Sequence, residues 1–260
     1  MSEDPRTETV SEGVARVSWA HAGIEAVSGA VEAALGTHGR VEAQVPAGDA
    51  RAHRVATWSG LRKEGVRRGV AGDEVVYARL ATDAPVGEPE GFRALLNSFL
   101  PRKRAIAQML LRDPSGRVLL CQLTYKRDWD LPGGVVEVGE SPQLAVSREV
   151  REELALDVDA GPLLLTDWLP PWSGWDDALC LVFDGGVHDP AVVDRIVRQE
   201  REIRSAAFCT PEEVAARCSE QTARRVAAAT AALAGGAPAY SESGRTGAPA
   251  AGQNSADARS

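Results

Sequence analysis

The sequence predicts a mixed α/β chain built as two folded units and a tail. Short apolar runs rich in β-branched residues alternate with stretches of helical periodicity, the pattern of mixed α/β architecture. The segment "APVGEPEGF" (84–92) breaks every periodic pattern with two prolines and two glycines, as loops and linkers do. After Ala234, "GGAPAYSESGRTGAPAAGQNSADARS" is poor in large apolar residues, so it cannot bury enough surface to offset its ordering entropy. The expected organisation is therefore a small α/β unit over 1–85, a linker over 86–101, a main α/β domain over 102–234 and a disordered tail over 235–260. At 260 residues and 44% hydrophobic content, the chain is long enough for two such cores.

Elements of the main domain follow in order. "AIAQMLLRDPSGRVLLCQLTY" holds two apolar runs around Asp-Pro-Ser-Gly and is expected to form a hairpin. "ALCLVF" (178–183) reads as a strand ended by Asp-Gly-Gly. In "AAFCTPEEVAARC", a strand runs into a helix: Thr210 suits the N-cap, Pro211 the first helical position, and Glu213 completes a capping box. An Ala-rich helix is expected over 221–234.

Charge and cysteine usage narrow the function classes. A net charge of −8 and a pI near 5.2 argue against a nucleic-acid backbone or an anionic membrane as main partner, since both need a basic surface. The basic clusters at Arg62/Lys63, Arg67/Arg68 and Arg102 to Arg104 read as solvated surface. Cys121, Cys180, Cys209 and Cys218 are widely spaced, which indicates neither a zinc site nor a disulfide framework, and buried thiols of a reducing compartment are expected. The acidic start "MSEDPRTETV" lacks the apolar core of a secretory signal, and no apolar run has membrane-spanning length. A cytoplasmic location is the expectation.

The chemistry concentrates between Leu131 and Val158. Ser141 and Pro142 signal a helix start, and no glycine or proline follows until after Leu154, so a helix over 142–154 is expected. Val146, Val150 and Leu154, four apart, would bury against the sheet, while Glu149, Glu152 and Glu153 share another side. Ala145 falls within that acidic arc, where a small side chain would leave space above the carboxylates. Carboxylates one turn apart repel by roughly 0.2–0.5 kcal/mol per exposed pair. Arg148 offsets one of them, and a hard divalent cation such as Mg²⁺ suits the rest. The preceding Leu131-Pro132-Gly133-Gly134 lets backbone approach closely and offer a carbonyl.

The run from Gly134 through five residues to Glu140, then seven more to Arg148-Glu149-Val150-Arg151-Glu152-Glu153-Leu154-Ala155-Leu156, resembles the Nudix box of the Nudix hydrolases. Every position agrees except Ala155, where the family carries glycine. The resemblance extends over about 102–232 and implies an α/β/α sandwich with a mixed sheet. It further implies hydrolysis of a nucleoside diphosphate linked to another moiety, with Mg²⁺ or Mn²⁺ and a small-molecule substrate. By position in the motif, Glu149, Glu152 and Glu153 would be metal ligands, with the Gly134 carbonyl as a further one. Arg148 would orient the glutamates, and Glu140 would hold the loop to the helix. Glu202, or else Glu200, is the candidate general base outside the box. Ala155 is expected to cost about 1 kcal/mol if a left-handed backbone is required there, with activity retained.

A plain solvated acidic helix is outweighed by the glycine loop, Glu140 and Arg148 at fixed offsets, and the reading that stays open is a Nudix fold that binds a nucleotide without cleaving it. Pro170 and Pro171 follow Ala155 at an offset similar to that of some ADP-ribose pyrophosphatases, but a proline-rich turn is the preferred account of them. Trp168, Trp172 and Trp175 are candidates for stacking on a base or for covering core. A homodimer is a further possibility. Upstream, "GRVEAQVPAGDARAHRVATWSGLRKEGVRRG" followed by "DEVVYARLATD" resembles the C-terminal half of a GNAT acetyltransferase, namely a strand, a helix, a turn and a final strand. His53 and Ala50 stand where that pattern carries serine and asparagine, and the Gly-rich pyrophosphate loop is incomplete. A non-catalytic remnant is the expectation there, with a bifunctional acetyltransferase as the rival.

Overall fold

The computed structural model describes residues 4–199 and 201–246. The chain divides into a unit over Met1–Arg102 and a unit over Lys103–Ser260.

The first unit carries β1 (Arg6–Ser11), β2 (Val14–Ser18), α1 (Ile24–Leu35), β3 (Arg40–Pro46), α2 (Ala50–Trp58), β4 (Arg62–Arg67), β5 (Glu74–Leu80) and α3 (Pro89–Phe99). Its five strands lie in the order β1-β2-β3-β5-β4, with β2 parallel to β3 and the other pairs antiparallel. Alternate residues Val41, Ala43 and Val45 of β3 point into a core closed by Val27 and Val31 of α1 and Val55 of α2, as period-2 and period-3.6 patterns demand. Asp49 caps α2 by accepting from the Ala52 amide at 2.9 Å. "LRKEGVRRG", expected as a turn, is instead strand β4 paired with β5. Its glycine sits at a register shift between Lys63 and Gly65, where a bulge absorbs the residue that looked like a chain reversal. The presumed linker is also structured. Pro89 at the first helical position starts α3, and Leu95 is fully buried. Among the basic clusters, Arg62 pairs with Asp83 at 2.9 Å and Arg67 with Glu74 at 3.4 Å.

The second unit carries β6 (Arg104–Arg112), β7 (Val118–Leu123), β8 (Trp129–Asp130), β9 (Gly133–Val135), α4 (Pro142–Leu154), β10 (Leu163–Leu169), β11 (Ala178–Val187), β12 (Ile203–Cys209), α5 (Pro211–Arg217), α6 (Glu220–Gly235) and β13 (Ala239–Glu242), plus a 3₁₀ turn at Pro190–Arg195. The sheet runs β12-β7-β6-β11-β10-β13, with β8 on β7 and β9 on β6. It is mixed, since β11 lies parallel to β6 and β13 parallel to β10. One face, with Ala107, Met109 and Leu111 of β6, packs on Val146, Val150 and Leu154 of α4. The other, with Leu110, Leu120 and Val182, packs on Val214 of α5 and Val226 and Ala229 of α6. This is the expected layering of helix, sheet and helix.

Several local expectations hold. Thr210 accepts from the Glu213 amide and Glu213 returns a bond to the Thr210 amide, completing the capping box. All four cysteines are free and buried, and burial pushes the Cys180 and Cys218 thiols up to about 12. Among the described residues, no helix is long and apolar enough to cross a membrane.

Three expectations need correction. The hairpin exists only at its tip, where Arg112 pairs with Val118 and Asp113 accepts from the Ser115 and Arg117 amides at 2.9 Å each. Beyond the tip the strands part, because β9 takes the edge of β6 and β8 that of β7. Strand β11 does not stop at Asp184 but runs to Val187 through a bulge. A Cβ on Gly185 would stand 2.7 Å from Met109 Cγ, so that glycine permits close passage rather than ending the strand. The tail expected from residue 235 is ordered through β13, held by parallel main-chain pairing and by Asp167, whose Oδ1 accepts from Ser241 Oγ at 2.6 Å and Gly244 N at 2.8 Å. Hydrogen bonds to a buried carboxylate do there what apolar side chains would otherwise do. Residues 247–260 lie outside the described residues.

Candidate active site

Helix α4 spans the residues its sequence dictates, from Pro142 to Leu154. Val146, Val150 and Leu154 are fully buried. Ala145 is fully buried too, packed with them, so it leaves no open space above the carboxylates. At 100° per residue it lies one position from Val146, and the apolar stripe is wide enough to take both.

The neighbouring side of the helix meets the loop before it. Strand β9 is antiparallel to β6, with Gly134 opposite Ala107 and Gly133 opposite Gln108. Gly133 has φ +134°, and a Cβ there would lie 2.2 Å from the Ala107 carbonyl oxygen, so only glycine fits. A Cβ on Gly134 would come within 2.6 Å of the Glu149 carboxyl. The double glycine therefore lets bare backbone sit directly against the acidic side of α4.

The acids divide by environment. Glu153 is buried, 4% exposed, and one of its oxygens accepts from the Gly133 amide at 3.0 Å. Burial pushes its carboxyl up to about 8, against that hydrogen bond and with further upward pressure from Glu149, Glu202 and Asp130. Burial also raises Glu149, opposed by Arg148 and supported by Glu152 and Glu202. Glu152 is exposed. Arg148 ties the set together: it donates to Glu140 at 2.9 and 3.0 Å, to Glu149 at 3.0 Å and to Glu152 at 3.1 Å. That guanidinium holds Glu140 below the usual carboxylate range. Glu140 also accepts from the Glu137 amide at 3.2 Å, which fixes the loop to the helix.

Glu202 is exposed, just before β12, with its carbonyl accepting from the Thr124 amide at 2.8 Å. The segment ahead of it docks on the C-terminus of α4, with Gln199 N donating to Glu153 O at 3.0 Å and Val197 N to Leu154 O at 3.2 Å. Chain contacts thus bring Glu202 to the acidic side of α4. Glu200 lies outside the described residues. Among the described residues, no group of three or more acidic, histidine or cysteine side chains is already arranged to hold a metal ion. Gly134, Glu149, Glu152 and Glu153 nevertheless share one end of the loop–helix junction, an oxygen donor set of three carboxylates and a backbone carbonyl, with the Arg148 guanidinium on two of the carboxylates. The hard-donor chemistry and the upward-pushed buried acids fit a divalent cation such as Mg²⁺.

Ala155 ends the helix with φ 54°, the left-handed conformation, and its amide donates to Arg151 O at 2.9 Å. Trp168 Nε1 donates to Asp177 at 3.3 Å, whereas Trp172 and Trp175 are exposed on the β10–β11 connection, with Arg104 over the Trp175 ring at 4.6 Å. Pro170 and Pro171 lie in this connection after β10. Sequence reasoning missed a buried polar cluster behind the loop. Arg225 donates to Asp167 at 2.9 Å and to Gln108 at 3.1 Å, Gln108 donates to Asp130 at 2.9 Å, and Lys126 donates to Asp130 at 2.8 Å. Its one visible sign was a lone glutamine in the apolar run "AIAQMLLR".

Residues 101–230 match the model of the NUDIX domain. The nucleoside triphosphatase NudI of Escherichia coli is 30% identical over 128 residues, spanning 44% of this chain and 86% of that protein. Among solved structures, a MutT protein from Methanosarcina mazei Go1 is similar at 21% identity and TM-score 0.42, over 54% of this chain and 99% of that one. A UDP-X diphosphatase is similar at 19% identity and TM-score 0.45, over 62% and 78%.

Proposed function

The chain belongs to the NUDIX domain family, and from that premise we propose that this pyrophosphohydrolase cleaves the diphosphate bond of a nucleoside diphosphate linked to another moiety, with Mg²⁺ or Mn²⁺ bound at the loop–helix junction. The observation that carries the reading is the imbalance at the loop–helix junction, where Glu140, Glu149 and Glu152 share a single guanidinium and the buried Glu153 accepts from the Gly133 amide. Such an excess of partly buried negative charge is relieved by protonation or by a cation, and with a cation bound a diphosphate becomes attractive to the same place. When bound, the cation polarises phosphate oxygen and lowers the cost of deprotonating water.

This chain's own residues have separable tasks. Glu149, Glu152 and Glu153 are the proposed ligands, with the Gly134 carbonyl as a fourth donor. The Gly133 amide orients Glu153. Arg148 holds Glu140, Glu149 and Glu152 in one array by charge-assisted hydrogen bonds, so little reorganisation remains at the moment of reaction. Glu202 is the proposed base: it is exposed, and its charge is felt by both Glu149 and Glu153. A panel of nucleoside diphosphate derivatives with Mg²⁺, run on the wild type beside Glu152→Gln, tests the assignment. The expected result is turnover by the wild type and a loss of about 100-fold or more in the variant. Turnover indifferent to the substitution would overturn the site, and tight nucleotide binding without any turnover would favour a ligand-sensing module.

A further inference from the structure

Between its terminal arginines, strand β6 is apolar except at Gln108, which is 5% exposed. Burying an amide in such a strand is costly unless every hydrogen bond is made. Here all are. Gln108 Oε1 accepts from Arg225 Nη1 at 3.1 Å and from the Cys180 thiol at 3.2 Å. Nε2 donates to Asp130 Oδ1 at 2.9 Å and, at greater length, to the Leu131 carbonyl at 3.4 Å. Two donors face the oxygen and two acceptors face the nitrogen, so the amide has one viable orientation.

The connections are directional. Arg225 is already paired with Asp167, and Asp130 with Lys126, so neither ion needs Gln108 to be neutralised. What the amide adds, beside the long Arg225–Asp130 ion pair at 3.8 Å, is a hydrogen-bonded link between α6 and residues 130–131, the entry to the glycine loop. Asp130 Oδ1 also accepts from the Leu131 amide at 3.0 Å, and the Pro132 carbonyl accepts from the Met109 amide at 3.0 Å. Gly133 lies opposite Gln108 in the ladder, and its amide is the group that holds Glu153. A path of hydrogen bonds and loop backbone therefore runs from Arg225 through Gln108, Asp130 and residues 131–133 to a buried acid of α4.

We infer that Gln108 is a positioning residue of the diphosphate-cleaving site, fixing the 131–134 loop so that Gly133 clamps Glu153 and Gly134 backs Glu149. It touches neither substrate nor metal. This rests on the function proposed above, and three readouts separate the failure of one from the failure of the other. Gln108→Met keeps the volume and removes the bonds. Gln108→Glu keeps an acceptor for Arg225 but has no donor for Asp130. In both, deuterium uptake by the metal-free full chain should quicken over residues 129–136. The half-saturating Mn²⁺ concentration, read by calorimetry without substrate, should rise about 10-fold or more, and kcat on the best substrate should fall about 10-fold to 100-fold with KM within about twofold. Unchanged exchange over 129–136 and unchanged Mn²⁺ affinity in a folded variant would overturn the inference, whatever the melting temperature does. If the wild type turns over nothing, the exchange and Mn²⁺ readouts still decide the role of Gln108. If the Met variant does not fold, the Glu variant carries the test.

Discussion

Two clusters of charge stand on opposite faces of the larger sheet, and they are built in opposite ways. Behind the glycine loop, Asp130 and Asp167 meet Lys126 and Arg225 one for one, and every polar atom named there is bonded. In front of it, Glu140, Glu149 and Glu152 share one guanidinium, that of Arg148, Glu153 accepts from the Gly133 amide, and burial pushes Glu149 and Glu153 upward. A balanced cluster completes itself and serves the fold. An unbalanced one must take up a proton or a partner from outside, and that is where chemistry is to be sought.

The largest way to break this contrast is on the balanced side. Asp167→Ala strips Arg225 of its 2.9 Å partner and releases Ser241 and Gly244. It should cost about 3–5 kcal/mol of stability, read by urea unfolding. A loss under about 1 kcal/mol would mean that the cluster is not structural. On the unbalanced side the sign reverses. Because burial raises Glu153 from the ordinary range to about 8, its contribution to the stability of the metal-free protein is fullest where that carboxyl is protonated in both states and is lost as pH rises from about 4.5 to about 8. Melting temperature without metal should fall across that window in the wild type and stay flatter in Glu153→Gln, and Mg²⁺ should restore the wild type alone. A variant curve that falls as steeply would remove Glu153 as the cause. The smallest effect is Ala155→Gly. Relief of the left-handed strain at φ 54° should stabilise the chain by about 1 kcal/mol in thermal melts, with kcat unchanged.

Helix α4 was legible because its information is local: a proline start, an unbroken periodic run and acids at fixed offsets. Burial of Val146, Val150 and Leu154 followed directly. The inward position of Ala145 did not, since a small residue between two faces goes to whichever side its neighbours leave open. Glu202 could be nominated from sequence, but its approach to the site depends on Gln199 and Val197 docking on α4. Strands β4 and β13 were misread as a turn and a disordered tail. Their glycines and small residues are weak local signals, and pairing with β5 and β10 overrode them.

Sequence alone determined which residues share a helix side, where that helix starts and stops, and that the chain carries too much negative charge in one short segment. These properties depend on neighbours within a few turns. Only the tertiary structure decided that Glu153 is buried while Glu152 is exposed, and that Gly133 and Gly134 lie flat against β6. It alone joined Gln108, Asp130, Asp167 and Arg225, up to 117 positions apart, into one network. The physical reason is that burial and pairing are set by which strands become neighbours in the sheet, and no local spacing carries that order.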